Sequence, residues 1–428
     1  MRHNNSQWPF DLAWSSGDGS THYEMISSLR LREFVRRPPV VLASLLVIAV
    51  IGFGVVHRLV NRFGEQKKAL GRHLFQNSQA ELRRGESDDA IDDLRAALDY
   101  NPNNFEYELA LARVLRDTGK TSEAESYLIG LWERDPQNSL VNLAIARLYA
   151  REKLLEKTSQ YYHNAIYGVW PGNAPAMRRE TQLELIHSLL NEQAFPRAQA
   201  ELISWSSALP PDPGLHLTVA DLFMDASDYD HALDEYQMVI RHERNNAQAL
   251  AGAGKAAFRL GRYRTAQRYL SSGPLDHSRT AEDNQLLETT NIVLDANPYA
   301  RRISARETAG RVAADFKQAG ARLSECMKEE NITVDTSSKR STVLKSGDNQ
   351  SPPENQESQD DLTGLYQRWL ALKPRVTESR VSAGSGLRDS AIDVTFEIEQ
   401  QTAIACGAPS GLDQALLLLS QNPAGAER

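Results

Sequence analysis

Apolar positions along this chain fall into two patterns. One is a continuous run: residues 40–56 read VVLASLLVIAVIGFGVV, 17 residues without a charge, just long enough to cross a bilayer as a helix. The other is a set of stripes at helical spacing, and those stripes are themselves periodic. Gly85 recurs as Gly119, Ala90 as Ala124, Pro102 as Pro136 and Ala112 as Ala146, each 34 residues on. Leu111 and Leu115 return as Ile145 and Tyr149. Ala198, Ala232 and Ala266 keep the same interval, accompanied by Phe195, Tyr229 and Tyr263. Such a period predicts stacked helical hairpins, because one hairpin cannot bury its apolar face alone.

These landmarks divide residues 71–274 into six units. The first (71–104) keeps Gly85, Ala90, Ala97 and Pro102, and the second (105–138) keeps Ala112, Gly119, Ala124 and Pro136. The third (139–178) keeps Ala146, Tyr149 and Ala165, then carries six additional residues, which the turn-rich stretch 168–175 is expected to hold as a loop. The fourth (179–212) keeps Phe195, Ala198 and Pro210, the fifth (213–246) Ala220, Tyr229 and Ala232, and the sixth (247–274) Gly254, Gly261, Tyr263 and Ala266. Small residues suit close helix crossings, Gly the turn and Pro the stop of the second helix. The pattern resembles the tetratricopeptide repeat family. The resemblance implies an all-α, TPR-like helical-hairpin solenoid, here with one N-terminal transmembrane helix.

Around the array (61–274) the chain divides further. Residues 1–37 read as a mostly disordered tail ending in a short basic amphipathic stretch, and 38–60 as the membrane anchor. Residues 275–329 read as divergent terminal helices, with Val312, Phe316, Ala319 and Leu323 on one stripe. Residues 330–361 have no aromatic side chain and are expected to form a disordered insertion. Residues 362–428 recover order as a helical block too small for its own core, expected to fold back onto 281–328. Within it DVTFEIE alternates like a strand, while Leu387, Ala391, Val394 and Ile398 fit a helix; the helical surroundings favour helix.

The apolar run has two other readings, a signal peptide and a buried core helix. It begins after 39 residues, no small-x-small cleavage site follows, and arginines crowd both ends, so an uncleaved anchor is expected. Orientation is nearly balanced, with Arg30, Arg32, Arg36 and Arg37 on one side and Arg58, Arg62, Lys67, Lys68 and Arg72 on the other. Long domains cross membranes largely regardless of charge, whereas short basic tails resist crossing. The expectation is a cytoplasmic tail and a periplasmic repeat domain on a bacterial inner membrane.

A net charge of -8 argues against a nucleic-acid partner. Cys326 and Cys406 either pair, closing a long loop for a model-dependent gain of roughly 4–5 kcal/mol, or remain two separate buried thiols. Candidate chemistry is thin. Residues 251–256 glance at a phosphate loop but lack its first Gly and its Ser or Thr, and the repeat register already explains Gly254 as packing. The histidines form no HExxH, and Asp225, Asp228 and Asp230 lack calcium-loop spacing. No cofactor or metal is expected.

The resemblance places the first helix of each hairpin along a concave, peptide-binding face. That register puts Arg113 and Arg116, Arg147 and Arg151, His187 and Asn191, Asp221, then Lys255 and Arg259 on this face. Arg113 and Arg147 stand one period apart, so they should meet on neighbouring helices. The stripe either binds an acidic protein or peptide partner or merely decorates a solvated surface. The expected protein is therefore a non-enzymatic, membrane-anchored scaffold for protein binding or envelope-complex assembly. With the opposite orientation it would be a cytoplasmic adaptor. The rival is an enzyme with its site in the C-terminal block, which polar residues converging between 281–328 and 362–420 would favour.

Overall fold

The computed structural model describes residues 38–272, 280–332 and 354–422, with side chains placed from Val41 in the first stretch and Asp361 in the last. The expectations for the tail at 1–37 and for most of the insertion at 330–361 lie outside the described residues. Every described element is an α-helix, and the chain divides into two compact units, Met1–Leu148 and Tyr149–Arg428.

The first unit holds α1 (Pro38–Arg84), α2 (Ser87–Tyr100), α3 (Phe105–Asp117), α4 (Thr121–Arg134) and most of α5 (Ser139–Arg151). α1 is continuous from the apolar run into the first hairpin, and its apolar side chains from Val41 to Val60 are exposed. It is the single described helix long and apolar enough to cross a membrane. The second unit continues with α6 (Leu155–Tyr167), α7 (Ala174–Asn191), α8 (Phe195–Ser206), α9 (Pro213–Asp225), α10 (Tyr229–His242), α11 (Ala247–Arg259) and α12 (Tyr263–Ser272). Beyond the hairpins come α13 (Ala281–Ala296), α14 (Ala305–Glu329), α15 (Glu354–Leu372), α16 (Glu378–Ala383), α17 (Ser385–Cys406) and α18 (Gly411–Gln421).

The periodic small residues sit where the register puts them. Ala90, Ala124, Ala198, Ala232 and Ala266 on second helices, and Ala112, Ala146 and Ala220 on first helices, have no exposed surface. Thr158 fills the same slot in the third hairpin, and its hydroxyl is buried there. At Gly254 a Cβ would collide with Leu270, and at Gly252 with the Tyr236 ring, so glycine is required by the close approach of α11 to its neighbours. The first helices also start in register. Asn104 caps α3, Asn138 bonds the first amides of α5, Asp212 caps α9 and Asn246 caps α11, each side chain accepting from backbone N–H groups that a helix start leaves unpaired.

The turn conformation is more regular than the turn sequence. Gly85, Gly119 and Gly261 have positive φ, and so do Lys153, Gln193 and Ser227 at the equivalent positions of the other three hairpins. At all six the next residue's N–H reaches back to a carbonyl five residues earlier, as in Lys120 N to Leu115 O (2.8 Å) and Asp228 N to Phe223 O (2.9 Å). This is the left-handed helix terminator that glycine favours.

Two expectations are corrected. The expected loop at 168–175 is present only as 168–173, between α6 and α7; α7 begins at Ala174 and runs 18 residues, against 13 for α5 and α9, so the first helix of the fourth hairpin is lengthened as well. Pro175 at its first turn is compatible with helix there, since no backbone donor is needed. The ordered block also starts earlier than residue 362, because α15 begins at Glu354.

The C-terminal block packs on α12, α13 and α14. Trp369 of α15 packs on Phe316 of α14 and donates its indole N–H to the Phe316 carbonyl (3.0 Å), in space that a side chain at Gly320 would fill. Ile398 and Val394 of α17, the segment that also read as a strand, share that core with Leu323. α18 buries Ala415, Leu416 and Leu419 against Val293 of α13 and Tyr263 of α12. Asn422 then donates to the Leu260 carbonyl (3.1 Å) at the turn of the sixth hairpin, closing the last repeat. Cys326 and Cys406 form a disulfide with Cα atoms 5.7 Å apart, tying the end of α14 to the end of α17.

The turns supply a test. Nothing lies within 4 Å of the place a Cβ would take at Gly119, so Gly119→Ala is opposed by backbone conformation alone. It should lower stability by about 1 kcal/mol, whereas Ser227→Gly should leave it unchanged or raise it by up to about 1 kcal/mol. Thermal and urea melts of the two variants check this; a neutral Gly119→Ala would remove the requirement for a left-handed residue at that turn.

Candidate functional site

The predicted face resolves into a separate group of residues in each unit. In the first unit α3 and α5 bring Arg113, Arg116 and Arg147 together, all half-buried. Arg116 pairs with Asp117 (2.8 Å). Arg113 differs: its Nε is buried and makes no hydrogen bond among the described residues. Burial pulls its pKa down, and the neighbouring Arg147 and Arg116 pull in the same direction. Asp117 pulls the other way. Guanidinium groups stay charged in proteins, so the fold holds a half-buried cation whose Nε has no hydrogen bond, between two arginines and one carboxylate. Arg113 sits partly inside the helix packing.

In the second unit Arg151 is exposed on the last turn of α5, and His187 and Asn191 are exposed on α7. Lys255 and Arg259 of α11 line a cavity of about 380 Å³, with Met224 of α9, Phe258, Leu286 of α13 and Gln414 of α18. Lys255 is not available as drawn from sequence. Its ammonium is bound by Asp283 (3.1 Å) and Glu282 (3.3 Å). Burial lowers its pKa, but those two carboxylates outweigh burial and raise it overall. Asp283 is held the other way: burial raises it, while Thr280 and Lys255 lower it more. Thr280 and Asp283 form the capping box of α13, so the clamp on Lys255 is built into a helix start. Arg259 is exposed at the cavity and carries no ion pair among the described residues. Asp221 is a brace: it accepts from the Tyr236 hydroxyl (2.5 Å) and from Gln248 (3.0 Å).

Sequence reading missed a third cluster, in the C-terminal block. Asp315, Gln318 and Arg322 of α14 face Glu399 and Thr402 of α17 and Asp413 of α18. Arg322 donates to Thr402 (2.9 Å) and to the Gly407 carbonyl (2.9 Å) and lies 3.4 Å from Glu399, while Gln318 donates to Asp413 (3.0 Å). Glu399 has no exposed surface, and neither carboxylate oxygen accepts a hydrogen bond among the described residues. Burial pushes its pKa up to about 8, Asp413 and Asp315 add to the rise, and Arg322 opposes it. Asp315, also buried, is pushed up to about 7, against the pull of Arg311. Polar residues therefore do converge between the two segments; Asp315, Glu399 and Thr402 are buried there, while Gln318, Arg322 and Asp413 are partly exposed. The polar positions 315, 322 and 399 on otherwise apolar stripes were the available signal. Among the described residues no three His, Cys, Asp or Glu side chains are grouped to hold a metal ion.

Residues 81–157 and 217–272 match models of the tetratricopeptide repeat, so the chain carries repeats of that kind. A curated relative, the DnaJ protein P58IPK homolog of Arabidopsis thaliana, is 24% identical over 250 residues, covering 56% of this chain. The matched region is 46% of that relative, so the chain spans about half its length. Among solved structures, PilF of Pseudomonas aeruginosa is 20% identical over 48% of this chain and 91% of its own, with a TM-score of 0.34. PilW, a type IV pilus biogenesis factor, is 19% identical over 51% of this chain and 98% of its own, with a TM-score of 0.33.

The carboxyl cluster gives a pH prediction. A carboxyl whose pKa is higher folded than unfolded binds more protons in the native state, so stability falls as pH rises between the two values. For Glu399 that window runs from its ordinary 4.5 to about 8. Glu399→Gln keeps the shape and removes the titration. It should therefore match the parent near about pH 5 and exceed it above about pH 8, by roughly 1–3 kcal/mol. Melting curves across that range check it; a variant less stable at the alkaline end would mean that Glu399 is ionised and stabilising through Arg322.

Proposed function

We propose that this chain is a membrane-anchored protein-docking scaffold. α1 spans the membrane, and the tetratricopeptide repeats present cationic surfaces to an acidic protein or peptide in an envelope complex of a bacterium. One observation carries the reading: Arg113 keeps its charge half-buried, unpaired at Nε and beside two further arginines, on the first helix of its hairpin. A half-buried cation with an unbonded donor beside two like charges costs stability, which the single opposing carboxylate of Asp117 only partly offsets. A carboxylate ligand would supply the missing partner through charge-assisted, often bidentate contacts. Arg259 is a similar unpaired cation in the second unit, beside the apolar lining of Phe258 and Leu286, as a peptide with mixed acidic and apolar side chains would require. This function needs no catalytic step. The buried setting of Glu399 and Asp315 supports leaving them a structural role.

The test separates binding from folding. Fluorescein-labelled polyglutamate peptide should bind the full chain in detergent at low salt, and binding should weaken with added salt. Arg113→Met with Arg147→Met should weaken it by one to a few powers of ten, as two charge-assisted contacts imply. Arg113→Met alone should at the same time raise stability, because it removes the buried unpaired charge. Unchanged peptide affinity in the double variant would end the proposal for this site.

Orientation has its own test. The arginine-rich N-terminal tail and the length of the domain after α1 favour export of the repeats. Alkaline phosphatase fused after residue 428 should be active. An inactive fusion, with a fluorescent cytoplasmic reporter at the same point, would make the chain a cytoplasmic adaptor instead.

A further inference from the structure

The second unit contains another cavity, of about 470 Å³, on the side formed by second helices. It is bounded by Arg241 near the end of α10, Arg244 in the turn before α11, and Arg268 of α12, with Tyr269, Ile240 and Leu250 completing the wall. Among the described residues no carboxylate lines it. We propose that this cavity binds a phosphate monoester dianion carried on a compact organic group.

Three cations around one cavity repel one another, and the chain as a whole is acidic at -8. Several arginines of the same unit are matched: Arg262 to Asp230 (2.6 Å), Arg311 to Glu307 (3.0 Å), Arg368 to Glu397 (2.7 Å) and Arg197 to Glu156 (2.5 Å). Arg241, Arg244 and Arg268 have no such partner among the described residues. The nearest acid in sequence, Glu243, is engaged by the Asn246 amide (2.8 Å). The dipole of α10 accounts for a cation at Arg241, in its last turn. It does not account for Arg244, which lies beyond the helix, or for Arg268, a full turn before the end of α12.

The geometry also limits the ligand. The guanidinium of Arg268 lies over the Tyr269 ring, 4.8 Å from its centre, which holds the side chain in place with its donors available. Guanidinium forks match phosphate oxygens in pairs, so three of them suit a doubly charged, three-oxygen group better than a single carboxylate. Ile240 and Leu250 leave an apolar wall for the organic part, and the volume is in the range of small-molecule sites. The cations of the site stand on α10, the turn after it and α12, whereas those of the proposed peptide face stand on first helices, so either can fail without the other.

Calorimetric titration of the full chain in detergent, with each of four probes, tests the site. The probes are inorganic phosphate, phenyl phosphate, dihexanoyl phosphatidic acid and, as a headgroup control, dihexanoyl phosphatidylcholine. Saturable binding of phenyl phosphate is expected, weakened at least about tenfold by Arg244→Gln with Arg268→Gln. It should be unchanged by Arg264→Gln, an exposed arginine of α12 outside the cavity, with all melting temperatures alike. Binding of phosphatidic acid but not phenyl phosphate, lost in the same double variant, supports the site and identifies a lipid headgroup as the source. No heat with any phosphate probe at millimolar concentration, or equal affinity in the double variant, overturns the proposal.

Discussion

Close approach of helix axes is the constraint on which this molecule depends. Each hairpin covers only part of its apolar face, and the rest is buried by the next hairpin. That works only if the side chain at the crossing is small. Ala112, Ala124, Ala146, Ala198, Ala220, Ala232 and Ala266 all have zero exposure, and at Gly252 and Gly254 even one carbon has no room. Interiors are packed to near-crystalline density, so an added methylene there costs roughly 1–3 kcal/mol. The side-chain caps and left-handed turns serve the same end. They stop and restart each helix at the same place, so that the small residues come into contact.

Within that packing, charges are treated in two ways. Lys255 is clamped by Asp283 and Glu282, and the clamp is part of the capping of α13. Arg113 is left with a buried donor without a hydrogen bond, and Glu399 with two oxygens that accept none, although Arg322 lies 3.4 Å away. The two unpaired cases differ in access. Glu399 is sealed and can shed its charge by taking a proton, which its raised pKa expresses. Arg113 cannot shed its charge and is only half-buried. Its neighbours are Arg116, Arg147 and the opposing carboxylate of Asp117, and its Nε stays without a hydrogen bond.

α1 joins the apolar segment to the first hairpin without a break. Its first buried position after the apolar run is Gly71, where a side chain would press on the Ala97 carbonyl and the Tyr107 ring. At 1.5 Å per residue, the helix between Val56 and Gly71 measures roughly 20 Å. If α1 crosses a membrane, the first repeat is therefore held off the surface by a helix rather than a loose linker, and rotation of the anchor turns the hairpin with it.

Much of the fold was legible in the order of residues, because it depends on local spacing. The 34-residue recurrence of Ala, Gly and Pro, the apolar run at 40–56 and the stripes of α14 and α17 each report a helix face without reference to anything distant. Capping residues Asn104, Asn138, Asp212 and Asn246 carried the same period and could have been read with it. Other features needed the folded chain. Lys153, Gln193 and Ser227 adopt the glycine conformation at their turns because the packed hairpins impose it, and nothing in their residue types announces it. The candidate sites were the least legible part. The register aligned Arg113 with Arg147 and placed Lys255 on the right helix, but whether a cation is free or matched depends on residues remote in sequence. Asp283 removes Lys255 from 28 positions away, and Arg322 meets Glu399 from 77. Period determines which face a side chain occupies; only tertiary packing decides what stands opposite it, and electrostatic energy depends on that distance and burial.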